Sequence, residues 1–231
     1  MDDRHRWSLH ARLVDALGRR VIADPGLTLS PDDIGAEFGV SRTVVRETLR
    51  VLEAKGLVSA RPNVGTRVRP RTDWNLFDPQ VIDWRLHSPQ RADQMRELLE
   101  LRAGVEPMAA RLAAERAGPD DVAALRTAWG GMRDALDARD LSAFSAADIA
   151  LHTALLAAVD NPMIAQLAGV VAEVVWAREE MLRRPEHINP EAVARHGDLV
   201  DAVAKGVPDL AAEAMRAVLA EVTHAVTTSP P

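Results

Sequence analysis

The chain has 231 residues, a length that suits two small domains at roughly 150 residues or fewer each. Hydrophobic residues make up 47% and aromatics 3%, with no tyrosine, which favours packed helices over a β-sandwich built from Val, Thr and aromatics. With no cysteine, disulfides, a thiol nucleophile and a Cys-ligated zinc site are excluded. The net charge of −6 hides an asymmetry: residues 1–75 carry +3 and the remainder −9. Residues 41–71 hold eight basic side chains against two acidic ones, as a nucleic-acid module joined to an acidic body would. The start, Met1 to Arg6, leads into amphipathic sequence, and no run of 18 apolar residues follows. A cytoplasmic protein that does not span a membrane is expected.

Leu9, Leu13, Leu17 and Val21 recur every four residues up to Asp24-Pro25-Gly26, which predicts a first amphipathic helix. Ser30-Pro31-Asp32-Asp33 reads as an N-cap, a proline at the first helical position and acids in the first turn of a short second helix that stops at Gly39. Ser41 caps a third helix with Val44, Val45, Leu49 and Leu52 on one face, ending near Lys55-Gly56. Arg42, Arg46 and Arg50 are four apart and lie opposite that apolar stripe, so one face packs and the other is free to enter a groove. Residues 57–61 and 65–69 alternate apolar and polar around Pro62-Asn63-Val64-Gly65, a β-hairpin carrying Arg61 and Arg67. Two short helices and a basic hairpin make a winged helix-turn-helix.

Residues 71–84 break the helical period yet hold Trp74, Phe77, Ile82 and Trp84. A disordered linker rarely carries such residues, so this segment is expected to dock, with both tryptophans packed between domains, either coupling them or as plain glue. From Met95 onward about six to seven helices follow, broken at residues 118–120, 137–140, 160–162, 184–190 and 206–208. Pro107 should kink the first of them. The predicted class is mainly α: a winged helix-turn-helix over 1–71, a docking linker over 72–88 and an all-helical domain over 89–231.

Three features of the helical body offer chemistry. Asp148 and His152, four apart, project from one helix face and can share a metal ion or form a surface hydrogen bond. His196 sits on another helix beside Leu199, Val200 and Val203, a metal ligand or a packed residue. Arg102 and Glu106 form either a surface ion pair or a carboxylate grip.

The run Ser41-Arg42-Thr43-Val44-Val45-Arg46-Glu47-Thr48-Leu49-Arg50, followed by Lys55-Gly56-Leu57-Val58 and Gly65-Thr66-Arg67-Val68, closely resembles the winged helix of GntR-family bacterial transcription regulators. The resemblance implies contact with double-stranded, palindromic operator DNA by Ser41, Arg42, Thr43, Arg46 and Gly65. Arg50, Arg61 and Arg67 extend the same basic face. One position departs: Asp32 stands where the family usually carries a phosphate-contacting arginine, so either the operator geometry differs or affinity leans on the wing arginines. Glu97 to Arg102 with Glu106-Pro107, Asp148 to His152 with Asn161-Pro162, and His196 with Asp201 resemble the FCD-type effector domain of the FadR branch.

That resemblance implies a divalent metal, zinc or nickel, on Asp148, His152 and His196, beneath a small carboxylate effector. The position of the family's fourth ligand is Val218, which leaves three ligands and a weaker site, and His224, six residues further on, points elsewhere around the helix. These features are most similar to the sugar-acid regulators of the branch, D-galactonate-responsive repressors in particular. They imply a homodimeric repressor of an aldonate catabolic operon, released from DNA by galactonate or gluconate. Its effector site would comprise Arg102, Glu106, Asp148, His152, Arg178 and His196. A dicarboxylate or fatty-acid effector fits the same architecture, and a metal-dependent hydrolase is the remaining alternative.

Overall fold

Local capping starts most of the helices where the sequence places them. The computed structural model describes residues 8–61, 65–182 and 188–228, and of residues 61, 178–182 and 221–228 the backbone alone. The chain divides into two units, Met1–Gln94 and Met95–Pro231. In the first, α1 (Leu9–Ala23) begins at Ser8, whose side chain accepts from the Ala11 amide. Helix α2 (Pro31–Phe38) is capped by Ser30 and ends at Gly39, a left-handed residue at φ 63° where a side chain would be strained. Helix α3 (Arg42–Ala54) is capped by Ser41. Strands β2 (Val58–Arg61) and β3 (Gly65–Val68) pair antiparallel with Val58 opposite Val68 and Arg61 opposite Gly65. The turn between them, at 62–64, lies outside the described residues. A third strand absent from the sequence reading, β1 (Thr28–Leu29), pairs with β3 to give the order β1-β3-β2. The core of this unit comprises Leu13, Leu17, Val21 and Ile22 from α1, Ile34, Val45 and Leu52 from α2 and α3, and Leu57 and Val58.

Residues 72–88 correct the expectation of a segment with no helical period. After a single 3-10 turn at Arg71–Asp73, Asp78 caps α4 (Pro79–Leu86) by accepting from the Gln80 and Val81 amides. Trp74 and Trp84 were expected between domains, and both lie in the core of the first unit instead. The physical reason is a slot on α1. A β-carbon at Gly18 would fall 2.4 Å from the Trp84 ring, so only glycine admits the indole there. Within the slot the Trp84 Nε1–H donates to Asp15 at 2.8 Å. The Trp74 indole donates to the Arg69 carbonyl at 2.9 Å, and Lys55 pairs with Asp78 at 2.6 Å.

The second unit is all helical: α5 (Arg91–Arg116), α6 (Pro119–Ala138), α7 (Leu141–Ala157), the single turn α8 (Pro162–Ala165), α9 (Ala168–Leu182), α10 (Pro190–Ala204) and α11 (Pro208–Thr228). Asp140, Asn161 and Asn189 cap α7, α8 and α10. Pro107 stands inside α5, which continues through it for 26 residues. Helix α6 packs on α7 and α10, α7 on α9, and α10 on α11. Their shared core includes Leu125, Met132, Leu151, Leu155, Leu199 and Met215. Among the described residues, no helix is long and apolar enough to cross a membrane.

Candidate functional site

Two regions carry the predicted site residues. The first is the outer face of α3. Val45, Thr48 and Leu52 bury its inner face, which leaves the Arg42, Arg46 and Arg50 side chains 86%, 67% and 61% exposed. The Ser41 hydroxyl is engaged as the α3 cap, accepting from the Val44 amide at 3.4 Å, and Thr43 is exposed beside it. Gly65 opens β3 at φ 91°, and Arg67 points outward on the same strand. The Arg61 side chain lies outside the described residues. Asp32, Arg42, Arg46, Arg50, Glu53 and Thr66 line a groove of about 460 Å³. Two of its arginines pair with acids: Asp32 Oδ1, in the groove, lies 3.1 Å from Arg42 Nε, and Glu47, one turn back on α3, accepts from Arg50 at 2.8 Å.

The second region is buried. Helix α5 brings Arg102 and Glu106, α7 brings Asp148 and His152, and α10 brings His196, each between 1% and 4% exposed. Arg102 Nε donates to Glu106 at 2.5 Å, so this pair is a buried ion pair and not a surface one. Glu106 Oε2 also stands 2.7 Å from His152 Nδ1. Asp148 Oδ1 lies 3.3 Å from His152 Nε2 and 3.2 Å from His196 Nε2. The two imidazole rings meet edge to face, 5.6 Å between centroids.

Burial and charge act in opposite directions on these groups. Burial works to raise the Glu106 carboxyl, but the Arg102 and His152 charges hold it down at about 2. Burial would likewise lower His152, yet the Glu106 carboxylate, aided by a hydrogen bond to Asp148, carries it up to about 9. Asp148 is held well below the usual carboxylate range against its burial, by the two histidines beside it.

The donor set fits a divalent metal. The three ligand atoms of Asp148, His152 and His196 lie within 4.8 Å of one another. The 3.2 and 3.3 Å spacings about Asp148 match the edge of about 3.4 Å that a tetrahedron with bonds near 2.1 Å requires. His196 Nδ1 donates to the Ala192 carbonyl at 2.7 Å, which leaves the lone pair on Nε2. That buried atom has no hydrogen-bond partner, the second-shell arrangement of a histidine ligand. His152 Nδ1 stands beside the Glu106 carboxylate at 2.7 Å, while its Nε2 is 3.2 Å from Arg102 Nη2. Sequence reasoning missed both the Ala192 and the Glu106 contacts. Val218 on α11 is buried and apolar and offers no ligand. The side chains of Arg178 and His224 lie outside the described residues. A void of about 10 Å³ borders Arg102 and Glu106, room for about one water.

Comparison with known proteins matches residues 9–68 to the model of bacterial regulatory proteins of the gntR family and residues 97–221 to the FCD domain. The galactonate operon transcriptional repressor of Escherichia coli (strain K12) is 33% identical over 92% of this chain and 94% of its own length. The HTH-type transcriptional regulator YieP from the same organism is 29% identical over 90% of each chain. Among solved structures, Lar of Listeria monocytogenes matches 97% of this chain and 99% of its own, with a TM-score of 0.68 and 18% identity. That last likeness is one of fold.

Proposed function

The chain belongs to the gntR family of bacterial regulatory proteins, carries an FCD domain and is a DNA-binding transcription regulator rather than an enzyme; on that premise we propose that it represses a sugar-acid catabolic operon and is released from its operator by an aldonate such as galactonate or gluconate. The observation that carries this reading is the buried cluster of the FCD domain. A carboxylate-binding arginine, Arg102, lies on a set of metal-ligand geometry made by Asp148, His152 and His196. The similarity to a galactonate operon repressor over nearly the whole chain supports the effector class.

In this reading a homodimer presents two α3 helices to the half-sites of a palindrome, with Ser41, Arg42, Thr43, Arg46 and Arg50 in the major groove and Gly65, Arg61 and Arg67 on the wing. Asp148, His152 and His196 would hold zinc or nickel, which when bound would supply a Lewis-acidic point for effector oxygens. Arg102 exchanges Glu106 for the effector carboxylate, and Glu106 remains on His152 Nδ1 and keeps that ring oriented. Release follows if the effector binds the DNA-incompetent arrangement more tightly, since an effector shifts an equilibrium only through differential affinity.

The test is fluorescence anisotropy of a duplex from the gene's own upstream region, titrated at fixed salt with and without galactonate, gluconate, a dicarboxylate and a fatty acid. One aldonate is expected to raise the dissociation constant at least tenfold. Tight binding that no aldonate alters would refute the effector class. Unchanged affinity in an Arg42→Ala, Arg46→Ala double variant would refute the DNA face.

A further inference from the structure

We propose that Asp32 is a positioning residue for DNA recognition: it holds Arg42 by its Nε, keeps that arginine off the phosphates and presents its terminal nitrogens to a base edge. The inference rests on the DNA-binding reading of α3. Asp32 lies in the first turn of α2, and Arg42 is the first residue of α3. Their ion pair, 3.1 Å from Nε to Oδ1, crosses the groove that Arg46 and Arg50 also line. The contact is made at Nε, and a guanidinium held there can still offer Nη1 and Nη2 to guanine O6 and N7 in a bidentate contact.

The carboxylate has two consequences on DNA. It repels any phosphate that approaches this corner of the groove, so sequence-independent affinity falls. It also biases the rotamers of a long, solvent-exposed side chain toward one, so less ordering is needed when Arg42 meets its base. In the free protein both groups are mostly exposed, 86% and 72%, and such a pair adds little to stability. Its effect therefore belongs to recognition and not to folding. Arg50, tied to Glu47, is held by its own helix neighbour, whereas the Asp32 tether joins two elements across the groove.

The experiment selects duplexes from a random 30-mer pool with the wild-type chain. It then compares the selected duplex with a scrambled one by anisotropy between about 50 and 200 mM KCl. The variants are Asp32→Ala, Asp32→Asn, Arg42→Ala, Arg46→Ala and Asp32→Ala with Arg42→Ala, and thermal melting serves as the folding control. Asp32→Ala and Asp32→Asn are expected to bind scrambled DNA about tenfold more tightly, with a salt slope steeper by about one. Their preference for the selected duplex should fall about tenfold or more, lost at one base position, with melting unchanged. In the Arg42→Ala background the further loss of preference should vanish. Wild-type slope and preference in Asp32→Ala, while Arg42→Ala loses preference, overturns the proposal alone. An equal loss with and without Arg42 also overturns it. If Arg42→Ala and Arg46→Ala each retain wild-type preference, the DNA-face reading itself fails.

Discussion

Replacing Gly197 by alanine tests whether Trp129 seats the helix that carries His196. A β-carbon at Gly197 falls 2.8 Å from Trp129 Cζ2, 2.9 Å from Cε2 and 3.1 Å from Nε1. The indole is fixed on both sides, since its Nε1–H donates to the Val193 carbonyl at 2.9 Å and the Arg133 guanidinium lies 5.3 Å above its ring. On an exposed helix the same substitution stabilises by about 1 kcal/mol. Here overpacking costs about 1–3 kcal/mol, and the strained indole hydrogen bond costs about 1 kcal/mol more. The net expectation is a loss of about 1–3 kcal/mol, a melting temperature lower by about 3–10 °C for a unit of this size. His196 directly precedes Gly197, so displacing α10 by a few tenths of an ångström moves Nε2 from its place 3.2 Å from Asp148. Zinc affinity should fall about tenfold, within the range that misplaced second-shell support costs. The assay is thermal melting in chelator and in zinc, with zinc titrated against a chromophoric competitor. Trp129→Leu in the Gly197→Ala background makes room for the methyl group and should recover part of the stability. A Gly197→Ala protein that melts at or above wild type and binds zinc equally well would refute the seating argument.

Trp84→Ala should lower the stability of the first unit by about 3–5 kcal/mol, because the indole is fully buried in the Gly18 slot and hydrogen-bonded to Asp15; an unchanged urea midpoint would remove α4 from that core. Glu106→Gln leaves the buried Arg102 without its carboxylate and should cost about 3 kcal/mol, much of it recovered by Arg102→Met in the same chain; equal stability of the single variant and wild type would sink this account. In chelator-treated protein, His152 lies raised from 6.5 to about 9, so its stabilisation is complete below pH 6.5 and lost as pH rises through 9. Glu106, lowered from 4.5 to about 2, contributes above pH 4.5 and loses its contribution as pH falls through 2. Each limb is worth about 3 kcal/mol, and the two are ends of one coupled interaction that do not add. A melting temperature that stays flat from pH 6.5 to 9.5 would refute the His152 limb.

What the sequence reveals of this fold is what local chemistry decides. Ser30-Pro31, Ser41, Asp140, Asn161-Pro162 and Asn189-Pro190 each satisfy the first amides of a helix from within a few residues, so those starts are visible without tertiary information. Strand β1 is two residues long and exists only through its pairing with β3, a partner almost forty residues away. Helix α4 has the Asp78-Pro79 start signal, but Val81, Ile82, Trp84, Arg85 and Leu86 are all buried. Apolar residues all round the helix leave no stripe for a periodicity argument to find. In the candidate site, the pairs four apart, Asp148 with His152 and Arg102 with Glu106, follow from helix geometry. Their convergence with His196 from α10 is tertiary, and so is the burial that turns Arg102 and Glu106 into a closed pair. The Ala192 carbonyl that fixes His196 is four residues back on its own helix, within reach of any helical histidine and therefore no distinguishing signal. The Asp32–Arg42 contact spans a turn between two helices, and no spacing rule reports it.

Charge balance in the buried cluster bears on the effector class proposed above, if Asp148, His152 and His196 hold a divalent cation. With His152 protonated, Arg102 and His152 offset Glu106 and Asp148, so the described side chains are neutral as a set and stable in a bundle core. To act as a ligand, His152 must give up its proton, which leaves the four residues at −1. With a divalent cation in their midst the total is +1, the deficit that one carboxylate fills. A monocarboxylate such as an aldonate therefore closes the balance, and its hydroxyls can meet the polar groups left facing the opened site. A dicarboxylate would bring an uncompensated negative charge into a site where every described acid and base is at least 96% buried, at a cost of several kcal/mol. A fatty acid balances the charge, but its chain would lie against Asp148, His152 and Arg102 and leave their hydrogen-bonding capacity unmet. The same cluster that holds Arg102 closed thus favours one carboxylate on a short, hydroxylated frame.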